Sequence, residues 1–223
     1  MTKIYIVRHC EAEGNVLRLF QGSSDFDISE LGAKQLVNLK NRFNDIHIDK
    51  IYSSPLKRAV KTAIAVKGDK SCEIEICNDL RELNGGIVEG KPFKEIFNAI
   101  PTLADAWDNH PEDFAPLHAE PMRDAYERIW NIIKQIANEN EGKTVVCTTH
   151  GGVTRCLLCR LLKNDIHELK NIPWADNTSV SLIEVDYNGN FNLSFYNDSS
   201  HLPADLIPVR SRISTYFTAE SKK

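Results

Sequence analysis

The sequence predicts a three-layer α/β/α sandwich with a mostly parallel central sheet and a helical and loop insertion over the active site. Three observations predict it. Strand-like apolar runs alternate with amphipathic helical periods along the chain. Two of the runs, Lys3-Ile4-Tyr5-Ile6-Val7 and Thr144-Val145-Val146-Cys147-Thr148, are rich in β-branched residues and lack a polar face, as strands buried on both sides do. Charged residues and glycines follow the strand ends, where ligands collect in open α/β sheets.

Taken in order, residues 3 to 7 form the first strand, ended by the polar, glycine-bearing Cys10-Glu11-Ala12-Glu13-Gly14-Asn15. Residues 29 to 43 read as a helix, with Ser29 as N-cap and Leu31, Leu36, Leu39 and Phe43 at helical spacing. A short strand over residues 49 to 53 leads to a helix that Pro55 opens at or near its first turn and that runs to about Val66. Residues 74 to 77 make a third short strand. Residues 120 to 139 form an amphipathic helix with Ala125, Ile129, Ile132, Ile133 and Ile136 on its apolar face. After the strand at 144 to 148, a helix spans 152 to 162. Strands at 180 to 186 and 191 to 196 pair as a hairpin around Tyr187-Asn188-Gly189-Asn190. The stretch from about 91 to 117 carries Pro92, Pro101, Pro111, Pro116 and Trp107, and reads as a cap of short helices and loops. No repeat or linker divides the chain, so residues 1–223 are expected to form one domain with that insertion.

Composition narrows the function. Net charge is −4 with a pI near 6.0 and no basic run, which argues against nucleic acid as a partner. There is no apolar stretch long enough to span a bilayer and no signal-peptide layout, so no membrane is expected and the location is expected to be cytoplasmic. The six cysteines are scattered through apolar segments, which suits reduced thiols. Cys156 and Cys159 lie inside a helix rather than at its start and read as packing residues.

Four positions past strand ends carry chemistry. Arg8-His9 places a permanent cation beside an imidazole, which could bind a phosphate and attack it. Arg58 falls on the first turn of a helix, where anions are favoured. His150 precedes Gly151-Gly152, glycines that permit close approach of the backbone. Glu82, before Gly85-Gly86, could protonate a leaving alkoxide and then activate water. Each alone has an ordinary reading as a surface charge or a satisfied core histidine; their joint order does not.

Val7-Arg8-His9-Cys10-Glu11 to Asn15, Gln21-Gly22, Ser53-Ser54-Pro55-Leu56-Lys57-Arg58-Ala59 with Thr62-Ala63, Leu80-Arg81-Glu82 to Glu89-Gly90, and His150-Gly151-Gly152 together resemble the histidine phosphatase superfamily, the phosphoglycerate mutase-like proteins. The resemblance covers nearly the whole chain, through Asn177-Thr178-Ser179-Val180 and residues 197 to 202. It implies that His9 becomes phosphohistidine, that Arg8, Arg58 and His150 form the phosphate pocket, and that Glu82 donates the proton. It also implies that Asn15, Gln21, Gly22 and Gly151 face the substrate. No metal or other cofactor is implied, since arginines neutralise the phosphoryl oxygens. His9 should be neutral, its pKa lowered by the neighbouring cations.

Departures from the family pattern bear on the substrate. Cys10 stands where glycine is usual, and Ala12 where a hydroxyl is frequent. The thiol is either simply tolerated, the reading preferred here, or close enough to the pocket for its oxidation to impair activity. The insertion contains no arginine and is acidic, with Glu95, Asp105, Asp108, Glu112 and Asp113. That is a poor receptor for a bisphosphate and favours a phosphatase for small phosphomonoesters over a cofactor-dependent phosphoglycerate mutase. A phospho-ligand-binding regulatory module that has lost catalysis is a further alternative. The expected partner is a small phosphorylated metabolite or inorganic phosphate. Oligomeric state is not legible, since a sheet edge could pair or be covered by the tail from Pro203 onward.

Overall fold

The computed structural model describes residues 1–207. Six strands form one sheet: β1 (Thr2–Arg8), β2 (Lys50–Ser53), β3 (Glu73–Ile76), β4 (Thr144–Thr149), β5 (Val180–Val185) and β6 (Phe191–Asp198), in the order β3-β2-β4-β1-β5-β6. β3, β2, β4 and β1 run parallel, while β5 and β6 add antiparallel to the β1 side. Insertion of β4 between β2 and β1 makes a topological switch point there. Register puts Arg8 opposite Thr149 and Ser53 opposite Thr148, so three strands end together.

Strand alternation sorts the core into two layers. Ile4, Ile6, Tyr52, Val145, Cys147 and Ile183 pack with α6 (Met122–Glu139) and α7 (Gly151–Leu162). Val7, Ile51, Val146 and Val180 pack with Leu39 and Phe43 of α2 (Glu30–Phe43) and with Ala63 and Val66 of α3 (Lys57–Lys67). The three-layer sandwich is therefore present, and the five apolar positions expected on α6 are all buried.

Several boundaries differ for identifiable reasons. Ser29 caps α2 as expected, accepting from Gly32 N–H at 3.0 Å. Pro55, however, lies ahead of α3, which starts at Lys57 after Leu56. The cap comes from elsewhere in the chain: the Asp25 carboxylate accepts from Lys57 N–H at 2.7 Å. α6 starts at Met122 because Glu120 is drawn into a bidentate pair with Arg128, at 2.7 and 2.8 Å. A one-turn helix, α1 (Glu13–Val16), follows β1 at residues too few to show a helical period.

Prolines in the insertion start helices instead of breaking them. Pro92 caps α4 (Phe93–Ala99), Pro101 opens α5 (Pro101–Asn109), and Pro111 opens a 3₁₀ turn over Pro111–Asp113. The last described residues pack on α2, where Leu206 accepts from Gln35 Nε2 at 2.9 Å, and not on a sheet edge. The remainder of the tail lies outside the described residues.

Candidate active site

β1, β2 and β4 deliver Arg8-His9, Ser53-Ser54 and Thr149-His150 to one end of the sheet because their hydrogen-bond register leaves no other placement. His9 N–H continues the β1–β4 ladder to Thr149 O at 2.9 Å, fixing its backbone. The His9 and His150 rings lie 5.1 Å apart. Above them opens a cavity of about 1060 Å³, lined at its base by Arg8, His9, Asn15, Gln21, Gly22, Arg58, Glu82 and Gly151. All nine residues singled out from sequence thus converge, with His150 behind His9 and outside the cavity wall.

His9 Nδ1 lies 2.6 Å from Cys10 O. A carbonyl oxygen only accepts, so this contact assigns the proton to Nδ1 and leaves the Nε2 lone pair unprotonated. Burial foremost, then the Arg58 and Arg8 charges, hold the imidazole well below the ordinary histidine value. The ring is therefore neutral at pH 7, and burial outweighs the cations that sequence pointed to. His150 is neutral for the same leading reason. Its Nε2 lies 2.7 Å from Ser54 Oγ, and its buried Nδ1 has no hydrogen-bond partner among the described residues.

Arg58 is 1% exposed, and its fork is aimed by two carbonyls: Nη1 donates to Ser24 O at 2.7 Å and Nη2 to Gly22 O at 2.8 Å. Arg8 Nη1 donates to Ala175 O. Glu82 is fastened to the start of α7, its carboxylate accepting from Gly152 N–H at 2.9 Å and Val153 N–H at 3.2 Å. The glycine pair serves this packing. A Cβ on Gly152 would lie 2.8 Å from Glu82 Oε1, and one on Gly151 3.2 Å from Arg8 Cζ and 3.3 Å from the Trp174 ring. The close approach that sequence assigned to a ligand is made by the site's own side chains.

Asn15 Oδ1 accepts from Ala12 N–H at 2.9 Å, one half of a capping box for α1; the Asn15 N–H that a hydroxyl at residue 12 would receive is taken by Ala12 O at 2.8 Å. Cys10 settles the other departure. It is fully buried, does not line the cavity, and faces Gly32 of α2; burial pushes its thiol up to about 12. The oxidation-sensitive reading is not supported by this placement. Cys156 and Cys159 are buried in α7, the former against Met122.

The upper wall draws Phe93, Phe97, Trp107 and Phe114 from the stretch expected to form a cap, and adds Phe20 and Trp174, which sequence reading did not single out. Phe20, Phe93, Phe97, Trp107, Phe114 and Trp174 line the cavity and pack on one another; Trp107 stacks on Trp174 at 5.4 Å. Arg155 and Lys170 also reach the cavity, so its cations are not confined to the base. Arg155 donates to Ile172 O at 2.8 Å and lies 4.9 Å over the Trp174 ring. Its position one helical turn after Gly151 was the available signal. Phe20 and Trp174, which come from segments far from the cap, carried none.

A switch-point crevice holding a neutral histidine near two arginines, with a carboxyl group fastened alongside, defines a class: proteins that bind and transfer phosphoryl groups. Comparison with known proteins agrees. The family model of the histidine phosphatase superfamily (branch 1) matches residues 4–199, and the chain belongs to that superfamily. It is 30% identical over 202 residues to phosphoserine phosphatase 1 of Hydrogenobacter thermophilus, covering 91% of this chain and 95% of that one. Among solved structures, YhfR of Bacillus stearothermophilus superposes with a TM-score of 0.86 at 33% identity, covering 90% of this chain and 99% of the other. A phosphoserine phosphatase of Entamoeba histolytica, in complex with phosphoserine, gives 0.78 at 27% identity, covering 91% and 100%.

Proposed function

We propose that this chain is a metal-independent phosphatase of small phosphomonoesters, working through a phosphohistidine on His9. The observation that carries the reading is the tautomer: Cys10 O holds the proton at Nδ1, which leaves a lone pair on Nε2 in a ring kept neutral by burial and two arginines. Arg8 and Arg58 hold the phosphoryl oxygens and offset the charge they carry in transit. Nε2 attacks phosphorus, the bond to the ester oxygen breaks, and the Glu82 carboxyl gives its proton to the departing alkoxide. Water then attacks phosphorus, Glu82 takes its proton, and the P–Nε2 bond breaks to return neutral His9. His150 backs the attacking ring from behind, its own ring held at Nε2 against Ser54 Oγ.

We read residues 91 to 117 as the cap of a single domain; the aromatic wall that α4 and α5 help to form gives the ester's leaving group an apolar surround. Phosphoserine, the ligand of the Entamoeba relative, is the first substrate to try. Free thiols at all six cysteines suit a reducing, cytoplasmic setting. Phosphate release from a panel of phosphomonoesters tests the reading. Release by the wild type that survives chelator and is lost in His9→Ala supports it. Interconversion of 2- and 3-phosphoglycerate without release would point to a mutase instead.

A further inference from the structure

We propose that Glu89 is a positioning residue for the phosphate pocket, acting through the loop at residues 22 to 24 to aim the Arg58 guanidinium. Glu89 does not line the cavity. Its carboxylate instead collects four donors from two loops. Oε1 accepts from Ser23 N–H at 2.8 Å and Gly85 N–H at 2.6 Å. Oε2 accepts from Ser24 N–H at 2.9 Å and Ser24 Oγ at 2.6 Å. The same short loop supplies, from Gly22 O and Ser24 O, both carbonyls that receive the Arg58 fork. One carboxylate therefore pins the segment whose carbonyls point the arginine.

The backbone is shaped to permit it. Gly22 has φ +42°, and a Cβ there would lie 2.0 Å from Glu89 Oε1, so any other residue would expel the carboxylate. Gly22 thus does more than face the substrate; it makes room for the pin. Charge adds to geometry: Glu89, with Glu82 and Asp25, offsets the cost of burying the Arg58 cation. A neutral side chain of the same shape cannot substitute, because an amide must turn its NH₂ toward at least one backbone N–H.

The inference rests on the phosphatase reading, since Arg58 must be a phosphate ligand. The test is binding of inorganic phosphate and orthovanadate by calorimetry, which needs no turnover, alongside kcat/KM and the melting midpoint. Glu89→Gln should weaken both anions about tenfold, an effect of the order expected for charge-assisted hydrogen bonds. In an Arg58→Ala background it should weaken them less than twofold further, because the pin acts only through that arginine. If Glu89→Gln does not fold, Ser24→Ala removes one donor and should still weaken vanadate two- to threefold. Unchanged anion affinity in the folded variant, or losses that multiply fully with Arg58→Ala, overturns the proposal alone. A wild type that binds neither anion overturns the proposal and the phosphatase reading together.

Discussion

The base of the cavity and its upper wall are built on opposite principles. At the base, each reactive side chain is fixed by backbone groups: His9 by Cys10 O, Arg58 by Gly22 O and Ser24 O, Glu82 by Gly152 and Val153 N–H. In the wall, Phe20, Phe93, Trp107, Phe114 and Trp174 are held by one another at ring separations of 4.9 to 5.7 Å. Hydrogen bonds to backbone groups at a strand end, a helix start and a pinned loop give one geometry, which phosphoryl transfer needs. Aromatic packing gives volume and shape, which can change among relatives while the chemistry stays. The difference teaches where reaction and substrate choice are encoded.

The comparison can be broken at either end. Gly152→Ala places a Cβ 2.8 Å from Glu82 Oε1 and should displace Glu82, the proposed proton donor. kcat should drop by about a hundredfold or more, the usual worth of general acid–base help, with little change in melting midpoint. Steady-state kinetics with a thermal melt checks both halves. Trp107→Ala should do the reverse: a loss of about 3 kcal/mol of stability and a higher KM, with kcat altered only a few-fold. A large kcat loss in that variant would show that the wall takes part in the chemistry.

Acid sharpens the contrast, because it acts on the base and not on the wall. His9 and His150 are held below the ordinary histidine value, so near pH 6.5 the unfolded chain takes up protons that the folded site refuses. Their contribution is complete above that pH and is lost as pH falls below it, at up to about 1.4 kcal/mol per pH unit for each ring. Urea midpoints between pH 7.5 and 5 should fall, and fall less steeply in His150→Asn. The smallest effect is expected at Cys10. With its thiol at about 12 and no exposure, peroxide or iodoacetamide should leave turnover of the folded enzyme unchanged.

How much was legible in the sequence follows from the same division. The strands and the reactive residues Arg8, His9, Arg58, Glu82 and His150 were readable because each sits in a short motif at or just past a strand end, whereas Asn15, Gln21 and Gly22 were legible only through the family resemblance. A cap donated from afar was not: Asp25 closes α3 from 32 residues away, and the local pairing of Glu120 with Arg128, eight residues on, carries no capping pattern to read. The cap at residues 91 to 117 was legible, but not which of its aromatic residues face the cavity, nor that Phe20 and Trp174 join them from other segments. Arg155 was the exception that helical spacing could have found. Glu89 was seen as a motif position, but its partners at Ser23, Ser24 and Gly85 appear only once the loops meet.

Transfer of the phosphoryl group to His9 Nε2 is open to test by a rapid alkaline quench of enzyme mixed with phosphoserine. Intact-protein mass spectrometry should then show a gain of one phosphoryl group, stable to base, lost in acid, and mapped to His9. Turnover without any such adduct, or an adduct that persists in His9→Ala, would contradict the account.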